Sequence, residues 1–187
     1  MLRRWYPTLL STIACLALPF SWAAQAKNQH SQSFSEYDIK AVYVYRLASF
    51  IRWPEGKKNN IKYCTLGEDK TTRSLHALFA QPGSRGELKA TSSLTDAALH
   101  CDLLFITHDA IQPITPLPQY KGLLTISDSP NMLSEGGMIE LRTLNYQIKP
   151  ALHRDNIQNG QLEVSSQLLR IALLIAGSDG ENGGTHE

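Results

Sequence analysis

The sequence lacks the short motifs that identify most nucleotide-binding enzymes, serine hydrolases and zinc proteases. It has no G-x-G-x-x-G, no P-loop, no G-x-S-x-G and no H-E-x-x-H. The absence of these motifs favours a binding or regulatory protein, so we expect no catalytic residues, no metal ligands and no cofactor. No two histidines stand at the spacing of metal ligands, the six being His30, His76, His100, His108, His153 and His186.

An excess of charge of one sign is also lacking, because 18 basic residues are balanced by 17 acidic ones and the net charge is +1. A protein that binds nucleic acid usually carries a basic patch, and this near-neutral chain gives no sign of one. After the N-terminal residues, no apolar run reaches the roughly 20 residues that a transmembrane helix needs. The sequence therefore predicts no nucleic-acid partner and no internal membrane span.

The first 26 residues contain the three parts of a secretory signal peptide in order. Two arginines precede an apolar run over residues 9–20, and an A-x-A cleavage site ends at Ala26. Cleavage there predicts export from a bacterial cytoplasm to the periplasm, and it changes the net charge from +1 to −1 because the leader holds two arginines and no acid. The alternatives are an uncleaved N-terminal anchor and a lipoprotein that is lipidated at Cys15.

Cysteine is scarce after the leader, where only Cys64 and Cys101 remain. In an oxidising compartment a single pair is most simply one disulfide. The bridge would close a loop of about 38 residues and stabilise the fold by roughly 4 kcal/mol on the chain-entropy model. The alternative is two buried thiols in neighbouring strands, since a zinc site would need more ligands than this pair offers.

Short apolar runs alternate with helical patterns through the middle of the chain. The runs at 102–107 and 123–127 are almost continuously apolar, which is typical of strands buried on both faces. Alternating segments at 138–144 and 146–148 predict a pair of antiparallel strands. We therefore expect an α/β fold with a mainly parallel sheet flanked by helices and an antiparallel edge hairpin near the C-terminal part.

The domain is predicted to extend over residues 35–176. A flexible segment at 27–34 precedes it, and a disordered tail rich in glycine and acids follows at 177–187. After the first helix, further helices are predicted at residues 72–80, 94–99 and 164–175, and a short one at 111–120 that is interrupted by Pro113, Pro116 and Pro118.

The first helix is predicted to begin after Ser35, which can form a capping box with Asp38. Apolar residues then recur at spacings of three and four as far as Ile51, which predicts one buried helix face. Pro54 disfavours helical backbone at the residue before it, so the helix is expected to end at Trp53.

Four acidic residues follow three predicted strands: Glu68 and Asp69, then Asp109, then Asp128. The carboxyl ends of parallel strands meet at one edge of a sheet, where α/β proteins bind ligands, so this acidic rim is a candidate site for a cation or small ligand. Alternatively, acids at such positions cap helices and turns. A hydrolase that used Asp128 or His108 would also need a serine or cysteine nucleophile beside the histidine.

Six segments of the chain, in the same order, resemble the YfiR-like family of bacterial periplasmic proteins. The first resembles the family pattern K-A-x-Y-x-Y-x-F-x-x-F-x-x-W-P and stands here as KAVYVYRLASFIRWP over residues 40–54, with Leu47 in place of the first phenylalanine. The others are CTLGED from Cys64, CDLLFI from Cys101, LTISD from Leu124, GGMI from Gly136 and the segment from Ser165 to Ala172.

The resemblance implies a non-catalytic periplasmic repressor. The best-known member of the family binds the periplasmic domain of an inner-membrane diguanylate cyclase, and its release raises cyclic di-GMP and favours biofilm. An outer-membrane lipoprotein can sequester that repressor, and dimers are usual. The alternative for this chain is a periplasmic module that binds a small ligand or cation through the acidic rim.

A partner surface is predicted around the end of the first helix. Interface centres are enriched in aromatic residues and arginine, so Tyr43, Arg46, Arg52 and Trp53 form the candidate surface. The alternative for Trp53 is a structural corner between the helix and the next strand.

Overall fold

The computed structural model describes residues 34–54, 56 and 60–175. The predicted leader with its cleavage site at Ala26, nearly all of the 27–34 segment and the 177–187 tail lie outside the described residues. In the described part the α-helices are α1 (Glu36–Leu47), α2 (Lys70–Phe79), α3 (Leu94–His100), α4 (His108–Ile111), α5 (Arg154–Asn159) and α6 (Ser166–Ile171).

The strands form a large sheet and a small sheet. They are β1 (Ile51–Arg52), β2 (Lys62–Leu66), β3 (Glu87–Thr91), β4 (Leu103–Ile106), β5 (Leu124–Ser127), β6 (Ile139–Leu144), β7 (Gln147–His153), β8 (Glu163–Val164) and β9 (Leu173–Ile175). The seven-stranded sheet has the order β3-β2-β4-β5-β6-β7-β9, and β1 pairs with β8 in the two-stranded sheet.

The large sheet confirms the predicted α/β class. Every neighbouring pair from β3 to β6 is parallel, and the order of these five strands is that of a doubly wound sheet. The β6–β7 hairpin is antiparallel, and its turn residues Asn145 and Tyr146 both have positive φ, as a tight hairpin turn requires. An additional strand, β9, pairs in parallel with β7 on the outer side of the hairpin.

The first helix begins as predicted but ends earlier. The Ser35 hydroxyl accepts a hydrogen bond from the Asp38 backbone at 3.2 Å, and the Asp38 carboxylate accepts one from the Ser35 backbone at 3.0 Å. The α-helix stops at Leu47, and residues 48–50 tighten into a 3-10 helix. The prediction of helix up to Trp53 is therefore wrong, because residues 51 and 52 are extended and pair with β8.

Extended backbone explains why Trp53 is buried. In an extended segment alternate side chains point the same way, so Ile51 and Trp53 face inward and Arg52 faces outward. Ile51 is 7% exposed, Trp53 is 5% exposed, and Arg52 lies at the surface. Pro54 then leads into a tight turn, in which the Gly56 backbone donates to the Trp53 carbonyl at 3.0 Å.

Alternate side chains of the central strands contribute to two core layers. Leu103 and Phe105 of β4 join the layer that contains the buried faces of α1 and α2. Leu104 and Ile106 of the same strand join the layer that contains α3 and α4. This double burial explains why the strand reads as a continuous apolar run, as a parallel strand between two helix layers should.

The predicted disulfide between Cys64 and Cys101 is present. Cys64 lies in β2 and faces the layer of α3, while Cys101 is the C-cap residue of α3. Their Cα atoms are 6.0 Å apart, within the usual range for a bridge. The bond therefore fixes the end of α3 to the sheet.

Two other predicted helices are shorter than expected. The helix predicted at 111–120 is replaced by α4, which begins at His108, followed by a 3-10 turn at 112–114. Three prolines at 113, 116 and 118 prevent a longer helix, because proline cannot donate to the helical ladder. The helix predicted at 164–175 ends at Ile171, because the following residues pair with β7. Among the described residues, no helix has the length and apolar character needed to cross a bilayer.

Candidate functional site

The acidic rim lies at one edge of the sheet, as predicted, because β2, β4 and β5 run in parallel. This edge includes the switch point between β2 and β4, where doubly wound sheets commonly bind ligands. The crevice is occupied by protein atoms here. A Cβ placed on Gly67 would collide with the side chain of Thr107 and touch Ala110, so only glycine permits this close approach.

Asp69 serves as the N-cap of α2. Its carboxylate accepts a hydrogen bond from the Thr72 backbone at 2.7 Å, and the Thr72 hydroxyl accepts one from the Asp69 backbone at 2.8 Å. This reciprocal capping box uses the side chain that the ligand-binding hypothesis would require. The capping role considered as the alternative is therefore the one observed for Asp69.

Asp128 forms an ion pair with Lys40 of α1. The Lys40 Nζ lies 2.8 Å from Asp128 Oδ2 and 2.8 Å from Glu36 Oε1, and the Thr143 hydroxyl donates to the same glutamate at 2.6 Å. The side chains of Lys40 and Asp128 are only 9% and 14% exposed, so solvent screens their attraction weakly. This network fastens α1 to the carboxyl edge of the sheet.

The charges in this network shift the pKa values of two groups. Burial alone disfavours the charged amine, but hydrogen bonds to Asp128 and Glu36 outweigh burial and raise the pKa of Lys40. The hydrogen bond from Lys40, with that from Thr143, lowers the pKa of Glu36. Lys40 therefore remains protonated and places a positive charge on the rim, which opposes the binding of a cation.

The other two rim acids, Glu68 and Asp109, are exposed. In the described part of the chain, no three His, Cys, Asp or Glu side chains come together in an arrangement that could hold a metal ion. The structure thus places the four predicted acids along one edge without assembling them into a ligand set.

A serine does lie beside His108. The Ser129 hydroxyl is 2.7 Å from His108 Nδ1, the kind of contact that a hydrolase would need. However, Ser129 has no exposed surface, and its backbone donates to the hydroxyl of Ser127, which donates to the Ile106 carbonyl. A nucleophile must reach its substrate, and this serine is enclosed in the turn after β5.

The outer face of α1 carries part of the predicted partner surface. Residues at spacings of three, four and seven lie on one side of a helix, and here these are Ile39, Val42, Tyr43 and Arg46. Ile39 and Val42 are 39% and 37% exposed, Tyr43 is half-buried, and Arg46 is exposed. We call these four residues the outer face of α1. The predicted surface did not include the two aliphatic members, Ile39 and Val42, although their helical spacing from Tyr43 and Arg46 can be seen in the sequence.

The remaining two residues of the predicted surface lie elsewhere. Arg52 projects from β1, where its guanidinium lies 3.4 Å from the carboxylate of Glu163 across the small sheet. Trp53 belongs to the core beneath α1. The prediction that its ring forms part of an exposed aromatic surface is therefore wrong, because the extended backbone turns it inward beside Ile51. The structural-corner alternative describes Trp53 correctly.

Comparison with known proteins identifies one family. A profile of the DUF4154 family, described as YfiR/HmsC-like, matches residues 37–173. The matched region runs from the first turn of α1 into β9 and contains the Lys40–Asp128 ion pair, Trp53 and both disulfide cysteines. No curated protein matches the chain.

Proposed function

Because the chain belongs to the YfiR/HmsC-like family, we propose that it is a non-catalytic periplasmic regulator that binds the periplasmic domain of an inner-membrane signalling protein. The observation that carries this proposal is the family match over residues 37–173, which includes nearly all of the described domain. The family suggests a role in cyclic di-GMP signalling. We therefore propose that the partner is a diguanylate cyclase and that binding represses it.

The proposal extends to localisation and assembly. Cleavage after Ala26 would release the domain into the periplasm, where the Cys64–Cys101 bridge is stable against reduction. The active form is proposed to be a homodimer, and the second proposed partner is an outer-membrane lipoprotein that sequesters it. Cell fractionation and N-terminal sequencing test the first step, since a periplasmic chain that begins at Lys27 is expected.

The outer face of α1 is the contact surface that we propose for the cyclase. It combines two exposed aliphatic side chains with Tyr43 and Arg46, and interface centres are enriched in aromatic and arginine side chains. The Lys40 network on the inner side holds the helix rigidly against the sheet, so binding requires little ordering of the surface.

The first test is recovery of the partner. The protein purified from the periplasm serves as bait for solubilised inner membranes, and retained proteins are identified by mass spectrometry. Recovery of a membrane protein with a cytoplasmic diguanylate cyclase domain is expected. Recovery of membrane proteins without such a domain, or of none, would contradict the proposal.

The second test compares two matched substitutions. Val42→Asp places a charge on the outer face of α1, whereas Leu99→Asp places the same charge on α3 in the opposite helix layer, where Leu99 is 74% exposed. Val42→Asp should abolish partner recovery and raise cellular cyclic di-GMP, while Leu99→Asp should behave like the parent. Equal behaviour of the two variants would show that α1 is not the contact surface.

A further inference from the structure

A cleft that shares only Arg46 with the outer face of α1 opens at the end of the sheet opposite the acidic rim. It lies between the C-terminal end of α1 and the loop that joins α2 to β3, and its volume is about 460 Å³. This volume is within the range of small-molecule sites, which is roughly 300–1,000 Å³. Its walls include Tyr45, Tyr63, Ile51 and Trp53, so much of the lining is apolar.

The aromatic wall is fixed before any ligand arrives. The rings of Tyr45 and Tyr63 stack with their centroids 5.9 Å apart, and Phe79 packs edge-on against both, at 5.3 and 4.9 Å. The Tyr63 hydroxyl donates to the Tyr45 carbonyl at 3.0 Å, and the Tyr45 hydroxyl accepts from the Arg85 backbone at 2.9 Å. These bonds hold the rings in place, which reduces the entropy lost on binding.

Two arginines, Arg46 and Arg85, also line the cleft, and none of the described residues that line it is acidic. Within the described residues, neither guanidinium forms an ion pair, whereas Arg52 and Arg142 are each paired with a glutamate. Two unpaired cations beside an apolar surface complement a ligand with an apolar body and a negative head group.

A glycine permits the geometry that places Arg85 at the cleft. Gly86 has a φ of +99°, and a Cβ at this position would lie 2.7 Å from both the Ile61 carbonyl and the Tyr63 ring. Any other residue would force the loop away from the aromatic wall. The loop therefore passes close to Tyr63, and Arg85 adjoins the apolar part of the cleft.

From this arrangement we infer that the cleft is a binding site for a small amphiphilic anion, in which an apolar or aromatic body lies against Tyr45 and Tyr63 and a carboxylate is bound by Arg46 and Arg85. The inference does not rest on the repressor role, since it requires only the cleft and its charges. It makes the protein a receptor for a small carboxylic acid.

The test uses two probes with the same body and different charge, 3-phenylpropionate and 3-phenylpropanol. Each is titrated calorimetrically into the full protein purified from the periplasm. A hydrogen bond to a charged group contributes about 1.5–3 kcal/mol, so the carboxylate should bind at least about tenfold more tightly than the alcohol. Added salt should weaken the binding of the carboxylate but not that of the alcohol.

Three variants locate the site. Arg46→Gln and Arg85→Gln should each reduce the affinity for the carboxylate about tenfold and leave the affinity for the alcohol unchanged. Arg73→Gln is the matched control, because Arg73 is exposed near the opposite end of α2. All three side chains are exposed, so circular dichroism should show the parent fold.

Any of three results would overturn the inference. They are equal affinities of the parent protein for the two probes, no measurable binding of the carboxylate, and carboxylate binding that survives both arginine substitutions. These titrations involve no cyclase, so a negative result here does not contradict the repressor proposal. Equally, a failure to recover the partner does not contradict ligand binding in the cleft.

Discussion

Replacing Trp53 by alanine is expected to destabilise the fold strongly, not to remove an exposed contact. The side chain is 5% exposed and belongs to the core cluster that also contains Ile51, Leu162 and Leu168. Truncating a buried tryptophan to alanine removes its transfer free energy and leaves a cavity, which together cost about 3–5 kcal/mol. Since domains are typically stable by about 5–15 kcal/mol, this is a large part of the total.

A second substitution at the same position sharpens the prediction. The Trp53 Nε1 is buried and has no hydrogen-bond partner in the described part of the chain. Leaving a buried donor unpaired costs about 1–3 kcal/mol, and phenylalanine removes that donor while it keeps most of the apolar packing. Trp53→Phe should therefore cost much less than Trp53→Ala, about 1 kcal/mol.

The assay is urea unfolding followed by far-ultraviolet circular dichroism, which does not depend on the tryptophan that is replaced. With a typical dependence of about 2 kcal/mol per molar urea, the alanine variant should unfold at a midpoint lower by about 2 M. A midpoint within experimental error of the parent would refute the reasoning. It would mean that Trp53 is not buried, and the exposed aromatic surface would then have to be reconsidered.

Three further predictions concern cross-links within the domain. Thiol labelling of the native protein should detect no free thiol at Cys64 or Cys101, and reduction should lower the free energy of unfolding by roughly 4 kcal/mol. Asp128→Asn should lower the free energy of unfolding by about 2 kcal/mol in the same urea assay, because Lys40 stays buried and loses one of its two charged partners. The pKa of Glu36 is lowered, so this carboxylate stabilises the fold above the ordinary carboxyl pKa, and the stabilisation is lost as the pH falls through the pKa of the folded state. In Glu36→Gln, the free energy of unfolding should therefore decrease less steeply as the pH is lowered through this range.

Controls separate these effects from general damage. Asp109→Asn makes the same chemical change as Asp128→Asn at the same edge of the sheet, but at an exposed side chain, and should alter stability by less than about 0.5 kcal/mol. Equal losses from the two variants would show that the Lys40 ion pair does not stabilise the fold. Reactive thiols in the native protein would contradict the disulfide, and an unchanged pH dependence of the free energy of unfolding in Glu36→Gln would contradict the role of that carboxylate.

The order of helices and strands could be predicted from the sequence where local signals agree with the tertiary structure. The Ser35 capping box and the apolar run at residues 102–107 specify their elements almost alone. Prediction failed where pairing with a distant segment determines the backbone conformation. Residues 51 and 52 continue a helical pattern, but pairing with β8 makes them extended, and residues 173–175 fit a helix pattern until β7 provides a strand partner. Such pairings override local propensity.

The candidate site was predictable to a smaller extent. Sheet topology correctly placed Asp69 and Asp128 on a common edge, but no local pattern indicated that Lys40, nearly ninety positions earlier, forms an ion pair with Asp128. Composition suggested an aromatic surface near Trp53, but only the extended backbone reveals which way the ring points. Arg85 could not be predicted because an isolated arginine in a loop has no periodic pattern, and its place in the same cleft as Arg46 depends on the backbone path at Gly86.

The small sheet formed by β1 and β8 has a consequence for how the protein matures. Ile51 pairs with Val164, and Arg52 with Glu163, a separation of 111 residues, so the environment of Trp53 is incomplete until almost the whole domain is available. Pairings over such distances form slowly, because loop closure must precede the contact. In the proposed export, the core around Trp53 would therefore stay incomplete during translocation. It would close only after the last strands emerge, in the compartment where the Cys64–Cys101 disulfide can form.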